Sequence, residues 1–234
     1  MKKISSTLVC CLLMFSIAGG VFGQGSFQNL DFEAVNISPP NQNAFFPFSE
    51  VFPGWIGYIG TNQATQAFYN GVSLGAALSS VFNRSTGYSN WVISGNFTAA
   101  IAAGQDQIIN NSSEIVSAAI AQTGPVPPSA LSVRFRVGTA SRVSDLRVTF
   151  NGQIIPIFPL ASGSNFDVYG GDISAFAGLP GELRFTSHPI SSPLSKTYLD
   201  NIFFSDQSIP EPSGIGVFAL GTLLVSWRLA RFKR

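Results

Sequence analysis

The chain has 234 residues, is 45% hydrophobic and only 11% charged, and is rich in Gly, Ser, Asn, Thr and Phe, a composition that suits an exported all-β domain. Its formal net charge of +1 hides an uneven distribution: Gln24 to Ile209 carries 7 basic and 11 acidic residues, and the basic surplus lies at the two ends. An acidic central segment gives no electrostatic support for nucleic-acid binding, and one histidine without cysteine in that segment gives no donor set for a thiolate site or a transition metal.

Taken in chain order, the first element is a leader. Lys2 and Lys3 precede an apolar run from Leu8 to Ala18, and Val21-Phe22-Gly23 supplies small residues before Gln24. That is the charged, hydrophobic and cleavable order of a secretory signal, so residues 1–23 are expected to be removed. Cys10 and Cys11 lie inside its hydrophobic run and would leave with it. The exported part must then be stabilised by a core without disulfides, and at 186 residues from Gln24 to Ile209 it has room for one domain, whose sandwich is placed at 24–206.

Strand signals follow. Leu131 to Val137 alternates, with Leu131, Val133, Phe135 and Val137 on one face and Ser132, Arg134 and Arg136 on the other. Asp145 to Phe150, Asn151-Gly152 and Gln153 to Phe158 read as strand, two-residue turn and strand. Glu182 to Ser187 and Thr197 to Ser205 are further strands, Val92 to Ala102 contains another, and Pro125, Pro127 and Pro128 mark a loop. Ile115 to Thr123 is assigned to a strand on the alternation of Val116, Ala118, Ile120 and Gln122, while Leu74 to Phe82 fits a helix or a strand. The expected class is all-β, a sandwich between an N-terminal signal helix and a C-terminal transmembrane helix.

The C-terminal segment, 207–234, has a fixed order: Pro210-Glu211-Pro212, an apolar stretch over 214–230 interrupted only by Arg228, then Arg231, Lys233 and Arg234. Its apolar length of about 16 residues is short of the roughly 20 of a relaxed span, but Arg228 and Arg231 can snorkel to the headgroups and Trp227 suits an interface. The four cations place the terminus on the cytoplasmic side; the competing assignment is a buried core helix. The triplet, the apolar segment and the basic cluster together resemble the PEP-CTERM sorting signal of Gram-negative bacteria. That resemblance implies recognition by an exosortase-type enzyme in the inner membrane, cleavage near the triplet, transient anchoring, and a final place at the cell surface or in the extracellular matrix.

Within the exported part, FQNLDFEA (Phe27 to Ala34), FPGWIGYIG (Phe52 to Gly60) and TYLDNIFFSD (Thr197 to Asp206) resemble the first, an early and the last strand of galactose-binding-like jelly rolls. SLGAALSS (Ser73 to Ser80), AAIAQTGPVP (Ala118 to Pro127) and YGGDISAFAG (Tyr169 to Gly178) resemble domains found upstream of PEP-CTERM signals. The jelly-roll resemblance implies that the first and last strands are neighbours and that Glu33 and Asp200 match a structural calcium site, for which hard oxygen ligands are suited. The alternative is that they are solvated or hydrogen-bonded acids at strand ends.

Little in the chain argues for catalysis. No paired-carboxylate signature or G-x-S-x-G elbow occurs, His188 precedes Pro189 in an expected surface loop, and Gly170-Gly171 lacks the Lys-Ser of a phosphate loop. The remaining lever is aromatic: Trp55, Tyr58 and Trp91, with Tyr69 and Tyr88, are expected either to stack sugar rings or to belong to the core. The sequence therefore leads to an exported, non-catalytic, surface-sorted protein, with a carbohydrate-binding module acting on extracellular polysaccharide as the alternative.

Overall fold

Alternation of apolar and polar side chains gives strands along nearly the whole exported segment. A computed structural model describes residues 26–40, 43–71, 75–190 and 194–210. The leader and, apart from Pro210, the C-terminal motif with its apolar and basic parts lie outside the described residues. Among the described residues no helix is long and apolar enough to cross a membrane.

In chain order the strands are β1 (Ala44–Pro47), β2 (Ile56–Ile59), β3 (Asn62–Ala64), β4 (Gln66–Tyr69), β5 (Leu78–Asn83), β6 (Phe97–Ala102), β7 (Gly104–Gln105) and β8 (Ile115–Val116). There follow β9 (Ala118–Pro125), β10 (Ser132–Gly138), β11 (Leu146–Phe150), β12 (Gln153–Ile155), β13 (Ile157–Ser162), β14 (Phe166–Asp172), β15 (Pro180–Ser187) and β16 (Lys196–Ser205). One helical turn, α1 (Phe48–Val51), follows β1. The larger sheet runs β1-β4-β5-β6-β16-β10-β14-β13 and the smaller runs β12-β11-β15-β9-β2-β3, while β7 and β8 pair separately. Pairing between strands is antiparallel except for β4 with β5.

The two large sheets face each other across one core. Phe135 of β10 meets Phe185 of β15 edge-on with centroids 5.1 Å apart, and Trp55 packs against both Phe185 and Phe32. Phe32, Phe52, Phe135, Phe150 and Phe185 are all fully buried, and each such side chain contributes roughly 1.5–3 kcal/mol relative to exposure. The protein is a β-sandwich whose cohesion comes from aromatic packing.

The strongest hairpin signal folds as expected. Asn151 and Gly152 have φ of 48° and 78°, the left-handed pair that matches a two-residue turn to the strand twist. Beyond it the chain departs from the expected single strand Gln153 to Phe158. β12 is an edge of the smaller sheet, Pro156 interrupts, and β13 forms an edge of the larger sheet. A proline has no N–H to leave unpaired at such a corner.

Two other expectations need refinement or correction, and one strand lies where none was expected. The ambiguous Leu74 to Phe82 contains β5 from Leu78 onward, with all six residues of the strand buried. β14 was not foreseen because Gly170-Gly171 breaks its pattern; a Cβ on Gly171 would collide with Ile155 and the Pro156 carbonyl. Phe27 to Ala34, expected as the first strand, instead forms no strand and is turned over residues 30–34, with left-handed Asn29 (φ 49°) and Phe32 (φ 59°). It still lies beside the last strand: Ile202 N–H donates to the Leu30 carbonyl at 2.9 Å, and Phe27 packs on Phe204.

Replacing Gly152 by Val puts a β-branched residue at φ 78°. The expected cost is about 1–2 kcal/mol, read as a lower midpoint in urea with an unchanged m-value.

Candidate functional site

The larger sheet is apolar in its centre on both faces. Val81, Ala99 and Leu199 join the core between the sheets, whereas Phe82, Ala100 and Tyr198 form a second cluster with Val92 and Ile93. That second cluster lies on the outer face, and the connection between β5 and β6, residues 84–96, covers it. Trp91, in a 3-10 turn at Ser89–Trp91, stacks on Phe82 at 5.8 Å and tilts against Tyr198 at 5.0 Å.

Carboxylates hold this covering segment down. β16 carries one extra residue against β10, since Arg134 faces Phe203 while Arg136 faces Asp200, and Asn201 is left-handed at φ 45°. Such a bulge re-aims a side chain. Asp200 Oδ2 accepts hydrogen bonds from Ser94 N–H at 3.1 Å and Thr98 Oγ1–H at 2.7 Å, and Oδ1 accepts from Asn201 N–H. Thr98 Oγ1 in turn accepts from Ile93 N–H at 2.8 Å. Glu33 grips the next residues: its Oε1 accepts from Asn96 N–H and Phe97 N–H, and its Oε2 from Asn96 Nδ2. Arg84 closes the segment on itself by donating to the Gly95 and Val92 carbonyls.

The two acids singled out in the sequence thus converge on one turn. Their oxygens are occupied by N–H and O–H donors, whereas Ca²⁺ takes six to eight oxygen ligands. Among the described residues no group of three or more His, Cys, Asp and Glu could hold a metal ion. The calcium expectation at Glu33 and Asp200 does not fit this donor set; the alternative, hydrogen-bonded acids, describes the geometry.

Asp200 is 1% exposed, and burial pushes its carboxyl up to about 7 against the hydrogen bonds from Thr98, Asn201 and Ser94, with Glu33 adding repulsion. His188 follows β15 half-buried, its N–H donated to the Asp145 carbonyl, and burial followed by the charge of Arg147 holds its imidazole below the usual value.

The expected aromatic platform does not form. Trp55 is 4% exposed in the core, with its indole N–H donated to the Asn29 carbonyl at 3.0 Å, so it cannot present a face to a sugar. Tyr58 lies on the outer face of the smaller sheet, and the Arg184 guanidinium sits 4.0 Å over its ring, held there by Glu182. Trp91 is on the outer face of the larger sheet, the opposite side of the sandwich, and is 37% exposed. Tyr69 is buried and bonds Asn83, and Tyr88 packs on Phe82.

Trp91 instead forms the wall of a cleft. Asn90, Trp91 and Ile93 from the covering segment, Gly138 at the end of β10, Thr139 and Ala140 from the turn after it, Asn165 from the β13–β14 turn, and Tyr198 line a space of about 370 Å³. Asn165 ties its two sides together, donating through Nδ2 to the Val92 carbonyl and accepting at its backbone carbonyl from Thr139 N–H. Gly138 keeps the floor open to Tyr198, because a Cβ there would lie 3.1 Å from the Tyr198 Cβ. The sequence pointed to Trp91 alone, since the other lining residues come from segments far apart in the chain.

Compared with family profiles, with curated proteins and with solved structures, the chain matches none.

Two outcomes check the capping geometry. Glu33→Ala is expected to lower stability by about 1–2 kcal/mol, equally with and without millimolar calcium; a calcium-dependent rise in the wild-type melting temperature, lost in the variant, would restore the metal assignment. For Asp200, the folded carboxyl titrates above its ordinary 3.8, so the folded state holds more protons than the unfolded chain between about pH 4 and 7, and its contribution to stability falls as pH rises through that window. The melting temperature of wild type relative to Asp200→Asn should therefore drop by on the order of 5 °C from pH 4 to 7.

Proposed function

We propose that the chain is an exported protein of a Gram-negative bacterium, sorted to the cell surface or extracellular matrix through a PEP-CTERM signal, and that its sandwich is non-catalytic. The observation that carries this is the order of the last 25 residues: Pro210-Glu211-Pro212, one uncharged apolar stretch, then Arg228, Arg231, Lys233 and Arg234. Each part has a physical task. The apolar stretch anchors, the cations stop the terminus on the cytoplasmic side, and the triplet is the element that an exosortase-type enzyme recognises.

The sandwich bears on this proposal at its exit. The Arg134 guanidinium donates to the Gln207 side chain and to the Gln207 and Ser208 carbonyls, and Ser132 Oγ–H donates to the Gln207 carbonyl at 2.6 Å. The chain is hydrogen-bonded to the sheet up to Ser208, and Pro210 still lies beside Leu131, Arg134 and Leu160. The finer fold assignment, a galactose-binding-like jelly roll, is favoured by the contact of residues 27–31 with the last strand. The absence of catalysis is favoured by the use of Glu33 and Asp200 as caps rather than as paired acids across a cleft.

The test is intact mass. Co-expressed with an exosortase-type enzyme, the protein is expected to lose the mass of the segment after the triplet, and a variant with Pro210, Glu211 and Pro212 all changed to Ala is expected to keep it. A mature wild-type protein that retains Gly214 to Arg234 in the presence of the enzyme contradicts the proposal.

A further inference from the structure

The cleft walled by Trp91 is built from components that a sorting role does not require. Among the described residues no charged side chain lines it. Its apolar surfaces come from Trp91, Ile93, Ala140 and Tyr198, and its polar groups are the carboxamides of Asn90 and Asn165 and the hydroxyl of Thr139. A space with one aromatic wall and several neutral donors and acceptors selects a ligand with one apolar face and a rim of hydroxyls. An ionic ligand would find no counter-charge there, and a purely apolar ligand would make no use of the Asn90 carboxamide and the Thr139 hydroxyl.

The Tyr198 side chain contributes to the cleft lining, while its hydroxyl is buried in the second cluster. The volume of about 370 Å³ matches one or two sugar rings rather than a long chain. Trp91 is itself pre-organised by its contacts with Phe82 and Tyr198, so little side-chain freedom is lost when a ring stacks on it.

We infer that this cleft is a binding site for a neutral pyranose residue, one face stacked on Trp91 and its hydroxyls met by Asn90, Thr139 and Asn165. The site does not depend on the C-terminal signal, and binding can be present whether or not the tail is processed. It also differs from the platform expected from sequence, because neither Trp55 nor Tyr58 takes part.

The experiment is saturation-transfer NMR on the full chain, purified in a detergent without a sugar headgroup, with the methyl glycosides of glucose, galactose and N-acetylglucosamine as probes and methyl glucuronide as the charged control. At least one neutral glycoside is expected to give a signal and methyl glucuronide none. Trp91→Ala should weaken binding by about tenfold or more. Because Trp91 also packs on Phe82, Ala140→Leu, which narrows the cleft from an exposed turn, is the second variant and should weaken binding with an unchanged melting temperature. Absence of signal from all three neutral glycosides overturns the inference, as does undiminished binding in both variants or preferential binding of the glucuronide.

Discussion

A sheet that is apolar on both faces has to be covered twice, and the architecture follows from how the second covering is secured. β5 buries all six of its residues, and β16 buries Leu199 toward one side and Tyr198 toward the other. The smaller sheet covers the inner face through nonspecific aromatic burial. The outer face is covered by an irregular segment that packs Tyr88, Trp91, Val92 and Ile93 on it but cannot satisfy its backbone through sheet pairing. Its backbone N–H groups at Ser94, Asn96 and Phe97 are instead satisfied by Asp200 and Glu33. Burying a carboxylate is costly, and this one is surrounded by donors for that reason.

The bulge in β16 connects these features. The extra residue at Asn201 turns Asp200 outward under the covering segment, and Ile202 beyond it bonds the Leu30 carbonyl. The same last strand therefore receives the N-terminal segment on one side of the bulge and supports the cleft floor through Tyr198 on the other. Its continuation through Gln207 and Ser208 is clamped by Arg134 before the sorting triplet begins. Entry, covering segment and exit meet on one strand.

Legibility in the sequence tracked how one-sided the burial is. β10, β15 and β16, together with the β11–β12 hairpin, were readable because polar residues or an Asn-Gly turn marked them. β5 was ambiguous because burial on both faces erases the period of two, and β14 was obscured by the glycines that let Ile155 and Pro156 approach. The segment from Phe27 to Ala34 alternates like a strand, but Asn29 folds it locally: its Oδ1 accepts from Ala34 N–H, and its carbonyl accepts from the Trp55 indole. Glu33 and Asp200 were identified as a pair with two roles left open, and the choice between calcium ligands and hydrogen-bonded acids was not legible, since most of their partners are backbone donors that leave no residue pattern. The cleft required four separate chain segments, of which only Trp91 stood out.

The dependence of the covering segment on these two carboxylates is tested most directly by amide hydrogen exchange across residues 84–97 in the native protein. The Ser94, Asn96 and Phe97 amides are expected to exchange as slowly as those from Thr98 to Ala102 in β6, because they are bonded to Asp200 and Glu33. Exchange of these three amides at the rate of an open, solvated loop would contradict that dependence.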